Sequence, residues 1–320
     1  MPAVCFTQTC TVGQMDAVGI YWPEAHQVPE QIAGLAEAAH TVLGFEAVRA
    51  PFDITAEAEF FGCELKPSTK DQQPCVIGHV AQTPEDVEAL RAKLTFGGDT
   101  RCDRIIKAIR ILADKWGKEL PVIGSMIGPF SLAQHLNGDD WFMNIMTEEP
   151  VCRPLLDLTT EFCIKYAEEQ VKAGADTMVI IDPTASYQLL GPDFYEQWAI
   201  PTHQKIVEAM KKLNVPTVLH ICGDTTEGIP LMDKAGVNGI SVDQNANVAK
   251  AVEYAKTAVI VGNLDPVQCL WKGTPESIKE ASEAAFKAGS AIVTAGCGIV
   301  TNSPNENLKA WAEFVKTLKY

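Results

Sequence analysis

Short apolar, β-branched runs that close on a small or polar residue alternate along most of this chain with longer amphipathic segments. An apolar run without polar alternation fits a strand buried on both faces, and such strands separated by helical stretches pair in parallel. The pattern predicts strands at 3–9, 45–52, 121–127, 177–182, 216–222, 239–243, 258–263 and 291–297. Between them it predicts helices at 29–43, 84–94, 101–116, 150–173, 193–213, 226–235, 247–256, 275–288 and 304–318, with Pro84 and Pro304 in first turns. Residues 53–80 are less regular, with one short extra strand near 74–79. Eight strand–helix units predict an α/β fold of the (β/α)8 TIM-barrel type, as one domain over residues 1–320. An open doubly wound sheet is the alternative that periodicity leaves standing.

The strand ends carry the candidate chemistry. Active sites of such barrels sit at the C-terminal ends of the strands. Here those ends hold Asp182, His220 with Cys222, Asp243, Asn263 with Asp265, and Cys297. Residues two apart on a strand share a face, so His220 and Cys222 point the same way. An imidazole and a thiolate on one face are half of a zinc site. Cys297 repeats the form: an apolar run, a metal-capable residue, then glycine. Three protein ligands leave one position open, the pattern of a catalytic zinc.

Composition narrows the classes. The chain has 320 residues, 47% hydrophobic, with a formal net charge of −15. That charge argues against binding nucleic acid through a basic face and against adhesion to an anionic membrane. No apolar run approaches the ~20 residues that span a bilayer, and no signal segment opens the chain. The ten cysteines are scattered without C-x-x-C pairs. Such thiols fit a reduced, cytoplasmic protein that recruits a few of them for chemistry.

His220-Ile-Cys-Gly-Asp-Thr-Thr226 together with Ala295-Gly-Cys-Gly-Ile299 resembles the uroporphyrinogen decarboxylase superfamily. Within it the chain is similar to the methylcobamide:coenzyme M methyltransferases, the methanol- and methylamine-linked enzymes of methanogens. Thr7-Gln-Thr9, Trp22-Pro-Glu-Ala-His26, Glu46-Ala-Val-Arg49, Gly128-Pro-Phe130, Gly239-Ile-Ser-Val-Asp-Gln244, Gly262-Asn-Leu-Asp-Pro266 and Gly273-Thr-Pro-Glu276 extend the likeness over nearly the whole chain. The decarboxylases carry histidine where this chain has Cys297, and an arginine-rich N-terminal segment where this chain has no arginine before Arg49. A helix expected before the first strand is missing. The resemblance implies one zinc per chain, coenzyme M as the thiol substrate, and a methyl group delivered by a corrinoid on a separate protein.

The remaining candidates follow from that expectation. Asp182 and Asp243 are expected to orient His220 or to meet substrate. Arg49 is a candidate partner for the sulfonate of coenzyme M, with Thr9 or Ser125 as alternative donors. Asn263 is a candidate binding residue, and Asn263 and Asp265 are equally turn formers before Pro266. Glu57 or Glu59 is a candidate fourth zinc ligand. His26, His40, His79, His135 and His203 lack metal-like company and read as structural. The rival readings are methyl transfer to homocysteine or a pterin, decarboxylation of a porphyrinogen, and a purely structural zinc.

Overall fold

A computed structural model describes every residue except Gln8. The described residues form eight strands: β1 (Val48–Ala50), β2 (Leu65–Lys66), β3 (Cys75–Val76), β4 (Val122–Ile127), β5 (Thr177–Ile181), β6 (Thr217–Ile221), β7 (Gly239–Val242) and β8 (Val259–Val261). Six of them form one parallel sheet in the order β1-β4-β5-β6-β7-β8. β2 and β3 pair antiparallel as a small flap outside it, shorter than the extra strand expected at 74–79.

Two predicted strands take a looser form. Residues 291–297 join the sheet only at Val261–Ile292 and Leu264–Ala295. The predicted strand at 3–9 makes no ladder among its described residues, and Gln8 lies outside them. Its polar groups go elsewhere. The Ala3 N–H donates to the Glu46 carboxylate (3.0 Å), the Glu46 N–H to the Ala3 carbonyl (2.8 Å), and the Thr7 hydroxyl to the Cys297 carbonyl (2.9 Å). The N-terminal segment therefore lies between 291–297 and β1 and closes the ring without regular pairing.

The ring has an apolar interior. Val4, Phe6, Ala47, Ile123, Val179, Val218 and Val261 pack together, with Ile181 and Ile292 against them. Each Val or Ile sealed there contributes roughly 1.5–3 kcal/mol of burial. A larger core lies between the sheet and the outer helices, where Trp141, Trp198, Trp311 and Tyr166 are wholly buried.

The helices largely follow the predicted pattern. Arg101–Trp116 starts at a Thr100 capping box and Pro275–Lys287 at a Thr274 capping box, each satisfying two N–H groups that would otherwise lack partners. The helix predicted at 193–213 is instead broken into Tyr187–Phe194, a π-helical turn Tyr195–Ala199, and Ile200–Lys212. Gly191, at φ 72°, and Pro192 interrupt the first piece. The sequence pattern also missed Pro129–Asn137 and Trp141–Met146. Both follow β4 before the long helix Cys152–Lys172, and Tyr187–Phe194 follows β5, so all three sit on the C-terminal mouth of the barrel. No described helix is long and apolar enough to cross a membrane.

Candidate metal centre

The barrel interior changes character along its axis. Alternation keeps one side chain in two pointing inward. Ala47, Ile123, Val179 and Val218 are inward and apolar. Two residues further along the same strands stand Arg49, Ser125, Ile181 and His220. The sheet register sets Arg49 level with Ile123, Ile181 with His220, and His220 with Ser241. A polar layer thus lies directly above an apolar floor, at the end where barrel active sites form.

Three groups converge at that layer. Cys222 Sγ lies 3.3 Å from His220 Nε2 and 3.4 Å from Cys297 Sγ. The three donor atoms all lie within 4.8 Å of one another. A tetrahedral zinc with Zn–S near 2.3 Å holds its ligands roughly 3.5–3.8 Å apart, so the set needs only small adjustments to close on an ion. The second ring nitrogen supports the same use. His220 Nδ1 is 3.1 Å from Ser241 Oγ and 3.2 Å from the Ser241 carbonyl. A carbonyl only accepts, so the proton belongs on Nδ1 and the lone pair on Nε2 faces the thiols. The donors fit a soft divalent metal on geometry and on tautomer.

The two thiols divide one proton. The Cys222 S–H donating to Cys297 pulls the Cys297 thiol well below its ordinary value, against the opposing effect of burial; the Gly298 N–H adds to the lowering, as does His220 when its ring is protonated. Cys222 is pushed up by the same hydrogen bond and by burial, with Asp243 adding to the rise. A metal that displaces the shared proton finds one thiolate already favoured.

Local backbone makes the convergence feasible. Gly223, at φ 86°, turns the chain immediately after Cys222. Gly296 lets the Cys297 segment close on the end of β7, because a β-carbon there would meet the Gln244 backbone nitrogen at 2.6 Å.

A cavity of about 170 Å³ opens beside the three groups. Phe52, Ile54, Ile181 and Pro183 give it apolar walls, and Thr7, Thr9, Arg49 and Gln73 give it polar ones. Gln73 donates to Thr9 Oγ1 (3.1 Å) and to the Phe52 carbonyl (3.0 Å), which fixes that wall. Arg49 is buried and donates to Ser125 Oγ (2.8 Å). Burial lowers it to about 10, opposed by Cys5, Asp53 and Glu57, so it stays a cation at neutral pH.

Several predicted residues have other work. The group that turns His220 is Ser241, not Asp182 or Asp243. Asp182 is wholly buried and accepts from the Ser131 N–H (2.7 Å) and His203 Nε2 (2.8 Å), clamping the helix Pro129–Asn137 to the mouth. His203, expected to be structural, is its partner. Asp243 accepts from the backbone and side chain of Asn245 (2.9 and 2.8 Å) and reaches the centre only through its charge. Asn263 donates to the carbonyls of Asp243 and Ala246 (both 3.0 Å) and does not line the cavity. Asp265 caps Pro266–Trp271, the turn-forming role. Neither glutamate reaches the centre: Glu57 accepts from the Ile127 N–H (3.0 Å) and Glu59 pairs with Arg101 (2.7 Å). Sequence reasoning missed Ser241 and Gln73. The first had a signal, since pairing of adjacent strands sets residue 241 beside 220; Gln73 lies in an irregular loop that carries none.

The uroporphyrinogen decarboxylase (URO-D) profile matches residues 1–318. The chain belongs to that family. It is 57% identical over its full length to the methylcobamide:CoM methyltransferase MtbA of Methanosarcina acetivorans, of which it covers 94%. It is 36% identical over 97% of its length to the methylcobamide:CoM methyltransferase MtaA of Methanosarcina barkeri, covering 91% of that protein. A solved structure of a methyltransferase from Methanosarcina mazei superposes with a TM-score of 0.90 at 35% identity, over 98% of this chain and 93% of that one. Within the family, the likeness lies with the methyltransferases. The parallel sheet closed by the N-terminal segment is accordingly a member's version of the TIM barrel.

Proposed function

We propose that this chain transfers a methyl group from a methylcobamide, carried by a corrinoid protein, to the thiol of coenzyme M, with one zinc ion held by His220, Cys222 and Cys297. The supporting observation is the convergence of two thiols and a correctly turned imidazole on a small cavity that also contains a buried arginine. When bound, zinc would supply Lewis acidity that keeps an incoming thiol deprotonated at neutral pH.

The residues divide the remaining work. Ser241 holds the His220 tautomer. Arg49 and Thr9 give the cavity donors suited to the sulfonate end of the acceptor. Phe52, Ile54 and Ile181 exclude water around the reacting sulfur. The substrate S–H bond breaks, its proton leaves to solvent and its electron pair remains on sulfur. That pair forms the new S–C bond, while the Co–C pair returns to cobalt and leaves Co(I). Holding sulfur and methyl in line is the chain's main contribution.

The cavity size argues against decarboxylation. At about 170 Å³ it falls below the roughly 300–1,000 Å³ that drug-sized ligands occupy, and a four-ring porphyrinogen needs more. Homocysteine would satisfy the same thiol chemistry, but its amino group has no carboxylate waiting among the polar walls other than Asp53, which Thr55, Arg101 and His26 already occupy. A single barrel domain over residues 1–320 and a cytoplasmic setting are part of this reading.

Zinc X-ray absorption with and without coenzyme M tests it. One sulfur scatterer gained at about 2.3 Å is the expected result. An unchanged zinc environment, or faster methylation of homocysteine or a pterin than of coenzyme M, would overturn the assignment.

A further inference from the structure

The two helical insertions on the mouth share an apolar surface that the chemistry of the cavity does not use. Met143 is 61% exposed, Leu189 57% and Met146 56%. Phe142, Ile145, Met146, Leu189, Leu190 and Phe194 line a groove of about 130 Å³ between Trp141–Met146 and Tyr187–Phe194. Isolated exposed apolar residues are ordinary; several gathered on one groove are not.

Three observations say what covers it. The first is position. Tyr187–Phe194 follows β5 and Trp141–Met146 follows β4 after one intervening helix, so both lie on the C-terminal face. Pro183, four residues before Tyr187, is a cavity wall. Gln188 Oε1 is 3.2 Å from where a β-carbon on Gly223 would sit, one residue beyond Cys222. The groove therefore adjoins the opening through which a methyl donor arrives. The second is charge. Exposed Asp139, Asp140, Glu148 and Glu149 flank the first helix, and exposed Asp193 lies in the second. The third is rigidity. Ser131 Oγ contacts Thr184 Oγ1 (2.8 Å) and accepts the Thr184 N–H (2.9 Å), and the buried Asp182 binds the Ser131 N–H. These contacts tie Pro129–Asn137, at the base of the first insertion, to the start of the loop that leads to Tyr187–Phe194, and an anchored base lowers the entropy lost on binding.

We infer that this groove docks the protein that carries the methylcobamide, through an apolar patch of that partner framed by lysine and arginine. The inference rests on the methyl-transfer reading above. An apolar centre supplies affinity, and opposite charges at the rim speed and orient encounter. The placement beside the cavity aims a partner's corrinoid at the zinc-bound thiol.

Leu189→Arg and Met146→Arg, on exposed positions that line the groove and lie outside the cavity, test it in the zinc-loaded full chain. Methyl transfer to coenzyme M is measured twice, from free methylcobalamin and from a methylated corrinoid protein purified from Methanosarcina acetivorans. The expected result is an unchanged rate from methylcobalamin and a KM for the protein-borne donor raised on the order of tenfold by each substitution, with wild-type KM itself rising with salt. Unchanged KM for the protein donor in both variants would overturn the docking surface. Equal loss with both donors would also overturn it and assign the groove a structural role. A wild-type chain inert with methylcobalamin and with the corrinoid protein would instead defeat the methyl-transfer reading. A wild-type dimer in sedimentation that Leu189→Arg converts to monomer would assign the face to a second copy of the chain.

Discussion

Ser241→Ala isolates one interaction that separates a prepared metal centre from three residues packed near one another. The Ser241 side chain is wholly buried, and alanine is smaller, so no clash confuses the result. The substitution removes one of two acceptors around His220 Nδ1, the hydroxyl at 3.1 Å, and leaves the carbonyl at 3.2 Å. Losing the group that orients a ligating histidine costs about 10- to 100-fold in metal affinity. Because the carbonyl still holds the proton on Nδ1, the loss should fall at the lower end, about tenfold, or about 1.4 kcal/mol. The N–H stays satisfied, so metal-free stability should fall by less than about 1 kcal/mol. Competition with a zinc chelator gives the affinity, and urea unfolding of the metal-free chain gives the stability. A zinc affinity within twofold of wild type would show that Ser241 does not orient the imidazole. A large stability loss with no separate change in affinity would assign Ser241 to packing alone.

Two further outcomes follow from buried carboxyl groups. Burial, with the Asp53 charge adding, raises Glu57 from 4.5 to about 7, against the Ile127 N–H, which favours the ionised form. The folded state then holds a proton that the unfolded chain has already released, so stability falls as pH rises from about 4.5 to about 7, by at most about 3 kcal/mol. Glu57→Gln keeps an acceptor for Ile127 and should flatten that slope in urea unfolding between pH 5 and 8; an undiminished slope would place its origin elsewhere. Asp182→Asn sets an amide donor against either the Ser131 N–H or His203 Nε2, which now share one carboxylate. A loss of about 2–3 kcal/mol on unfolding is expected, and a loss below 0.5 kcal/mol, by the same reasoning about unpaired buried groups, would show that the clamp carries little energy.

Most of the architecture was legible in the sequence because buried parallel strands are continuous apolar runs. Thr177–Ile181 and Thr217–Ile221 fall within one residue of the predicted bounds. The misses have local causes. The described residues of 3–9 and 291–297 carry strand-like composition, but they are held by scattered single hydrogen bonds and isolated bridges in place of a ladder. Helices Pro129–Asn137 and Trp141–Met146 are short and stand on a long loop, where periodicity has too few turns to register. The same limit hid the groove between Met146 and Leu189, which comes from two separate insertions.

The sequence by itself determined which donor types the strand ends offer, since a His-x-Cys pair on a strand must share a face whatever surrounds it, and Cys297 repeats that strand-end form. It also determined that a barrel would gather strand ends at one mouth. Only the tertiary structure decided which neighbours act on those ligands. Asp182 and Asp243 are as close to His220 in strand-end logic as Ser241 is, yet the register of β6 against β7 gives the imidazole to Ser241, while a helix insertion takes Asp182 for itself. Side-chain direction along a strand is a local, period-two property. The partner it meets depends on the stagger between strands and on where loops fold back, and those are set by packing across the whole barrel.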